Sequence, residues 1–166
     1  MIPDADPRAP WQLPGTQLQL HPASDADRES CWQVHRAAMR NHVQATWGWD
    51  EVDQAARFAA GFQPRLTWTL RLDGQTVGML VLDEASDPVR LLSLALLPTW
   101  QRRGMGGALL QAVLARNAGR PVWLQVLMVN PALGLYRRTG FEVIAENATH
   151  RQMLHPGLAA EAVPAG

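Results

Sequence analysis

A polar, glycine-rich segment between an apolar stretch and a helical pattern holds the residues best suited to bind an anion. Its members are Gln101, Arg102, Arg103, Gly104, Met105, Gly106 and Gly107. The first amides of a helix have no partner inside it, and the helix dipole makes that end positive, so a diphosphate can dock there. Glycine at 104 and 106 would let phosphate oxygens approach the backbone, and the two arginines could add bidentate contacts. The segment predicts a phosphate-binding loop.

Two well-known phosphate loops do not account for this segment. A dinucleotide-binding G-x-G-x-x-G is ruled out because the third glycine is misplaced. A Walker loop is ruled out because the chain contains no lysine. The phosphate-binding loop is therefore of another kind.

Asn130 and Tyr136 form a second group of candidate residues, after the next apolar stretch. Asn130 precedes Pro131, an order typical of a helix start, so its side chain either caps that helix or hydrogen-bonds a ligand. Tyr136 lies three residues after Leu133, and simple packing would explain it. The residues alone leave both choices open.

Two tryptophans beside carboxylates form a third group. Trp47 and Trp49 flank Gly48 and are followed by Asp50 and Glu51. Packing in the core explains the indoles without any ligand. The alternative is a pocket for a cationic amine, held by cation–π contacts and by the neighbouring carboxylates.

Periodicity and turn residues predict the elements that must position these groups. Alternation and apolar runs predict seven strands, at residues 17–21, 65–72, 76–82, 89–97, 122–129, 141–145 and 150–154. Helical spacing and caps predict four helices, at residues 24–44, 50–61, 104–116 and 130–140. A hairpin signal, Asp73-Gly74, joins the second and third strands. The order predicts an α+β or α/β fold, a mixed sheet with helices on both faces.

The two ends of the chain differ from this pattern. Residues 1–16 are spaced by prolines, residues 156–166 lack apolar periodicity, and both are predicted to be flexible tails. A single domain at residues 17–155 remains. That length is enough to bury a substantial core.

Taken with its flanks, the glycine-rich segment resembles the pattern Q/R-x-x-G-x-G/A of the GNAT superfamily of N-acetyltransferases. Gln101, Gly104 and Gly106 fill its fixed positions. An apolar strand ending in Pro98 precedes them, and the run N-P-A-x-x-x-Y-x-x-x-G-F, beginning at Asn130, follows. The resemblance spans roughly residues 17–155 and is weaker before residue 65.

The resemblance implies a three-layer fold in which a mostly antiparallel, twisted sheet of about seven strands opens in a V-shaped splay. The splay would lie between strands 89–97 and 122–129 and receive the pantetheine arm of acetyl-coenzyme A against the backbone of Leu94, Ala95 and Leu96. Asn130 and Tyr136 would contact the coenzyme. Tyr136 would also protonate the departing thiolate, because a phenol of pKa about 10 can serve a thiol of pKa about 8.5.

The implied function is acetyl-coenzyme A-dependent transfer of an acetyl group to a primary amine of a small molecule or peptide, by direct attack and without a metal. Many members use a glutamate as base, but strand 89–97 has no carboxylate, so Glu84, His150 and Glu51 are the candidates. The region of Trp47, Trp49 and Glu51 commonly walls the acceptor pocket in this family. The missing base keeps a second interpretation open, a non-catalytic acyl-coenzyme A-binding module.

Composition excludes several other classes. Fifteen basic residues, all arginine, balance fifteen acidic ones, so nucleic acid is not an expected partner and Schiff-base chemistry is excluded. Cys31 stands alone, which disfavours a disulfide or a cysteine-rich metal site. A meander of three strands before the glycines disfavours a Rossmann-like domain. Without a signal peptide or an apolar span, the protein is predicted to be cytoplasmic. It is expected to be a monomer or a homodimer.

Overall fold

The computed structural model describes residues 8–159 of the chain. The helices in that range are α1 Arg28–Trp47, α2 Glu51–Gly61, α3 Met105–Arg116 and α4 Leu133–Thr139. The strands are β1 Trp11–Gln12, β2 Gln19–Pro22, β3 Thr67–Leu72, β4 Gln75–Asp83, β5 Val89–Leu96, β6 Val122–Leu127, β7 Glu142–Glu146 and β8 His150–His155. None of the helices described is long and apolar enough to cross a membrane.

The strands form one sheet in the order β1-β2-β3-β4-β5-β6-β8-β7. Neighbours are antiparallel except β5 and β6, which are parallel. The β3–β4 hairpin turns at Asp73 and Gly74, whose φ angles of 50° and 78° suit the two central residues of a type I′ turn. The predicted mixed fold with a mostly antiparallel sheet is confirmed.

Helices cover both faces of the sheet because successive strand residues point to opposite sides. On one face, Met79 of β4 and Ala95 of β5 are buried with Cys31 and Val34 of α1. The other face carries the larger cluster, where α3 packs on the sheet through its apolar side. The buried residues that α3 contributes are Leu109, Leu110, Val113 and Leu114. The sheet is therefore held between two helical layers.

A β-bulge in β5 opens the sheet between its two parallel strands. Against β4, Leu91 pairs with Leu82 and Ser93 pairs with Val81, so Leu92 is an extra residue. A bulge bends its strand and increases the local twist. On its other side β5 pairs with β6 only from Val89 to Leu91, and beyond the bulge the two strands diverge. The V-shaped splay implied by the resemblance is present at this point.

The predicted tails differ from the structure where the structure describes them. Leu13 is fully buried, and Trp11 belongs to β1, an eighth strand too short to be recognised from alternation. The guanidinium group of Arg8 donates to the carbonyl of Thr67 at 2.9 Å and lies over the ring of Trp68 at 4.3 Å. Residues 8–16 are thus packed against the sheet, and residues 1–7 lie outside the described range.

The C-terminal boundary also falls later than expected. The carbonyl of Leu158 accepts a hydrogen bond from the amide of Gly119 at 2.6 Å, and the Leu158 side chain packs on the core. Residues 156–158 therefore belong to the packed domain. Residues 160–166 lie outside the described range.

Candidate functional site

The loop between β5 and α3 presents consecutive backbone amides at a helix start. A short 3-10 turn at Pro98–Trp100 leads into it, and α3 begins at Met105. Arg102 has a φ of 61° and Gly104 has a φ of 79°, both in the left-handed region. Turn conformations of this kind point successive N–H groups into a concave surface that suits an anion. The amides at the start of α3 add the positive end of its dipole.

The two glycines named in the sequence motif have different structural roles. Gly104 requires glycine or a residue that tolerates a positive φ, and a Cβ built on it would meet nothing within 4 Å, so its surroundings are open. A Cβ on Gly106 would lie 3.1 Å from Cδ2 of Leu135 in α4. Gly106 therefore lets α3 and α4 approach closely, which the sequence did not indicate.

Side chains of the loop lie on its outer surface. Arg102 and Arg103 are exposed, and the guanidinium group of Arg103 lies 4.8 Å from the ring centroid of Trp100. Gln101 donates from Nε2 to the carbonyl of Leu96 at 2.9 Å, which ties the loop to the end of β5. Both arginines are therefore available to an anion bound at the loop.

The gap between β5 and β6 forms a cavity of about 380 Å³, which we call the splay cavity. The amide of Leu97 donates to Val77 of β4, and alternation along an antiparallel ladder then directs the backbone groups of Leu94 and Leu96 away from β4, toward the gap. The carbonyl of Leu96 is already engaged by Gln101, which leaves its N–H to face the gap.

Ala95 does not face the splay cavity. It pairs with Met79 of β4, and its side chain is buried under α1. The expected coenzyme contact at Ala95 is therefore not supported by its orientation, unlike those at Leu94 and Leu96.

Tyr136 lines the splay cavity and is itself largely buried, 9% exposed. Its ring packs edge-on against Phe141 at 6.0 Å between centroids. Burial raises the pKa of the phenol to about 12, so the hydroxyl group keeps its proton at physiological pH. Among residues 8–159 the hydroxyl has no hydrogen-bond partner, which leaves its proton available to a ligand in the cavity.

Asn130 also lines the splay cavity, and its side chain has a structural bond as well. Oδ1 accepts a hydrogen bond from the amide of Ala132 at 2.9 Å, so the residue caps the turn that leads into α4. The Nδ2 group can still donate to a ligand. The two alternatives left open by the sequence are compatible.

His150 and Trp47 complete the wall of the splay cavity. His150 begins β8, and Thr149 Oγ1 lies 2.8 Å from its Nδ1, which leaves Nε2 for another partner. Its ring lies 5.7 Å from that of Trp47, at the end of α1. The structure thus brings together residues of two separate segments, Asn130 and Tyr136 from α4 and the turn before it and His150 from the start of β8.

Glu84 is not brought to this cavity. Its two carboxylate oxygens share the single N–H of Arg116 Nε, at 2.9 and 3.1 Å, at the far end of α3. Its main-chain carbonyl accepts a bond from Arg120. The expected role of Glu84 as a base is therefore not supported, because the side chain serves as an ion-pair partner elsewhere.

Trp49 and Glu51 hold the connection between α1 and α2. The indole of Trp49 stacks on Trp32 at 6.1 Å and donates to Oε2 of Glu51 at 2.6 Å. The other carboxylate oxygen of Glu51 pairs with Arg36. Both partners of Glu51 come from the protein itself, so the expected ion pair with a cationic acceptor finds this carboxylate already engaged.

Two further cavities adjoin the splay cavity, and the larger of them lies where the sequence placed a candidate acceptor pocket, at Trp47 and Trp49. The larger, about 690 Å³, lies over the α1–α2 connection and touches Trp47, Trp49 and Asp50. The other, about 410 Å³, lies between the two helices and the sheet, and we call it the side cavity. From α1, Val43 and Trp47 line the larger cavity, and His35 and Met39 line the side cavity. No cluster of three metal-ligating side chains occurs among residues 8–159.

A sheet that splits beside a glycine-rich helix start is the arrangement that the resemblance to GNAT acetyltransferases implied. Residues 63–143 match the family model of the acetyltransferase (GNAT) domain. The chain belongs to the GNAT superfamily. No curated protein is similar enough in sequence to count as a match.

Three solved structures with the same fold are distant from this chain in sequence. PaiA N-acetyltransferase from Thermoplasma acidophilum, in complex with coenzyme A, shares 18% identity with a TM-score of 0.68, over 84% of this chain and 99% of that one. The ribosomal-protein-S18-alanine N-acetyltransferase from Escherichia coli shares 20% identity with a TM-score of 0.64, over 86% and 96%. A histone acetyltransferase HPA2-related protein from Corynebacterium glutamicum shares 20% with a TM-score of 0.66, over 86% and 97%. These likenesses show the fold.

Proposed function

We propose that the protein transfers an acetyl group from acetyl-coenzyme A to a primary amine of a small molecule or peptide by direct attack, in the cytoplasm. The observation that carries this proposal is the splay cavity, where backbone groups of β5, the phenol of Tyr136 and the imidazole of His150 face one gap next to the phosphate loop. The coenzyme A complex of the Thermoplasma acidophilum relative supports the choice of donor.

Coenzyme binding uses mostly backbone in this proposal. The amides at 102–107 hold the pyrophosphate, with Arg102 and Arg103 as additional cations. Leu94 and the N–H of Leu96 pair with the pantetheine amides as a missing strand would. Asn130 donates from Nδ2 to the same arm.

Transfer requires a proton acceptor for the amine and a proton donor for the thiolate. Tyr136 is the donor, because its neutral phenol lines the cavity and can hydrogen-bond the departing thiolate; its pKa of about 12 lies above the roughly 8.5 of a thiol, so the proton stays mainly on the phenol oxygen and the hydrogen bond stabilises the leaving group. His150 accepts the proton of the amine through Nε2, because its side chain lines the splay cavity and that of Glu84 does not. A backbone N–H of β5 polarises the thioester carbonyl.

The test measures free thiol released from acetyl-coenzyme A over a panel of amines, with mass spectrometry of the acetylated product. We expect His150→Gln to lower kcat/KM at least about tenfold, while the matched change Glu84→Gln leaves it within about twofold. Equal losses in the two variants would remove His150 from the mechanism.

The second candidate, a coenzyme-binding module without turnover, is favoured by one observation. No carboxylate lines the splay cavity among the described residues. Tight coenzyme binding with no turnover on any amine in the panel would establish that alternative and end the proposal of an enzyme.

A further inference from the structure

The side cavity is the least polar of the three cavities around α1, and most of its lining surface is apolar. Its aromatic and aliphatic side chains are Met39, Phe58, Phe62, Met79, Val81 and Leu92, and its polar ones are His35, Gln54, Arg57, Gln63, Thr67 and Ser93. At about 410 Å³ the side cavity lies within the range of small-molecule sites, which is roughly 300–1,000 Å³. It is therefore large enough for a compact ligand.

The side cavity reaches the place where the thioester would lie. It shares Met39, Leu92 and Ser93 with the splay cavity, and two of these residues are the bulge of β5 and its neighbour. The larger cavity over the α1–α2 connection shares only Val43 and Trp47 with the splay cavity and does not touch β5. A nucleophile that enters through the side cavity would meet β5 where the strands diverge.

No carboxylate lines the side cavity within the described part of the chain. Arg57 is its one guanidinium group, and Nε of Arg57 bonds Asp53 at 2.8 Å. His35 also lines it, packed on the ring of Phe58 at 5.1 Å, and burial lowers the pKa of this imidazole, so it is neutral at pH 7. The cavity therefore offers a second ammonium group no negative partner.

The carboxylates nearest in sequence to these walls are already engaged. Asp50 accepts a hydrogen bond from the amide of Asp53 as the cap of α2, and Asp53 pairs with Arg57. Glu51 is held by Arg36 and Trp49. A polycationic ligand would have to displace these protein partners to find a counter-charge.

We propose that the side cavity is the acceptor pocket, and that it takes a primary amine whose remaining part is uncharged and aromatic or aliphatic. This inference rests on the proposed acetyl transfer and names its substrate class. Transfer of an ammonium group into an apolar pocket disfavours its charged form, so the pocket itself promotes the neutral amine that attacks. That effect lessens the need for a carboxylate base, which the site lacks.

The test compares two amines of equal length, hexylamine and 1,6-diaminohexane, which differ by one terminal ammonium group. After division by two for the two reactive ends of the diamine, we expect kcat/KM for hexylamine to be at least about tenfold higher. A smaller ratio, or a preference for the diamine, overturns the proposal.

Isosteric variants that place a carboxylate in the wall of the side cavity test its location. Gln63→Glu and Gln54→Glu each replace an amide that lines the side cavity with a carboxylate, and we expect each to lower the hexylamine-to-diamine ratio at least about threefold. Gln111→Glu, on the exposed side of α3, is the matched control and should leave the ratio unchanged. An unchanged ratio in both pocket variants overturns the location.

Binding separates this inference from the proposed chemistry. Calorimetry measures both amines against the protein loaded with coenzyme A, which requires no turnover. If no amine is acetylated but hexylamine binds at least about tenfold more tightly than the diamine, the pocket stands and the transferase proposal fails. If amines are acetylated without this preference, the transferase proposal stands and the pocket inference fails.

Discussion

The coenzyme side and the acceptor side of the site are built from different materials. On the proposed coenzyme side the groups that would face the ligand are mainly backbone amides, shaped by the left-handed residues Arg102 and Gly104 and by the bulge in β5. On the acceptor side they are side chains of α1, α2 and the sheet, and the charged ones are paired with each other. A site made from backbone recognises a shared group such as a diphosphate, whereas a pocket made from side chains can change its ligand one residue at a time.

The largest expected effect tests the backbone nature of the coenzyme side. Gly104→Asp should weaken coenzyme A binding at least about 100-fold, because a carboxylate would stand beside the phosphates. Gly104→Asn is the matched control, since Asn and Asp both tolerate a positive φ and a Cβ at this position meets nothing within 4 Å. Calorimetry should find the Asn variant at least about tenfold tighter than the Asp variant. Similar affinities would exclude the loop from the phosphate site.

Tyr136→Phe should lower kcat about 10- to 100-fold and leave coenzyme A affinity within about twofold, because only the proton donor is lost. Phe141→Leu disturbs the same edge-on ring pair without removing a hydroxyl group. It should cost stability but keep kcat within about threefold. A Phe variant as active as the parent would assign the tyrosine to packing alone.

Alkaline unfolding tests the burial of the same phenol. Burial raises its pKa from 10 to about 12, so the unfolded chain loses this proton first and stability should fall as pH rises from 10 to 12. Tyr136 is the one tyrosine in the chain, so Tyr136→Phe should remove that part of the loss. The Cys31 thiol, whose pKa burial also raises to about 12, contributes equally to both proteins. Urea unfolding at pH 9, 10 and 11.5 would measure the difference, and parallel curves would contradict it.

On the acceptor side, Asp50→Ala should lower the free energy of unfolding by about 1 kcal/mol, because the amide of Asp53 loses its cap. It should also raise KM for the amine and leave the Kd of coenzyme A unchanged, since α2 carries Phe58 of the side cavity. Asp50→Asn keeps a cap and should match the parent. A change in coenzyme affinity would mean that the two sides are not separate.

The smallest effect distinguishes the two adjacent glycines at the start of α3. Gly107→Ala should stabilise the protein by about 0.5 kcal/mol, because its Cβ would lie in ordinary contact, 3.7 Å from Leu135. Gly106→Ala, at 3.1 Å from the same leucine, should lose that gain or be destabilising. Thermal unfolding measures both. The reverse order would mean that α4 does not limit the space.

The coenzyme side was largely predictable because backbone requirements leave local marks in the sequence. A positive φ, a helix start and a strand end are marked by Gly104, Met105 and Pro98 within a few residues of each other. The bulge was not predictable, because Leu92 follows Leu91 and reads as one more apolar residue of a buried strand. The role of Gly106 was also missed, since its neighbour Leu135 lies in a different helix.

The acceptor side was poorly predictable because its decisive contacts join residues far apart in sequence. Glu51 was expected to face a ligand, but it meets Arg36 of the preceding helix. The carboxylate of Glu84 pairs with Arg116, which lies 32 residues further along the chain. Ion pairs between residues far apart in sequence leave no local pattern. A carboxylate that the sequence offers as a candidate base or ligand contact can therefore be paired with an arginine in the folded protein.

The extra residue in β5, Leu92, affects the splay cavity without affecting how the core is packed. Before it, Val89 and Leu91 face the α3 layer, and after it Leu94 and Leu96 face that same layer. Excising Leu92 would thus preserve the parity of every other side chain while straightening the strand. The divergence of the two parallel strands begins at this one additional residue, so we expect a deletion of Leu92 alone to narrow the splay cavity and to leave the hydrophobic interior in place.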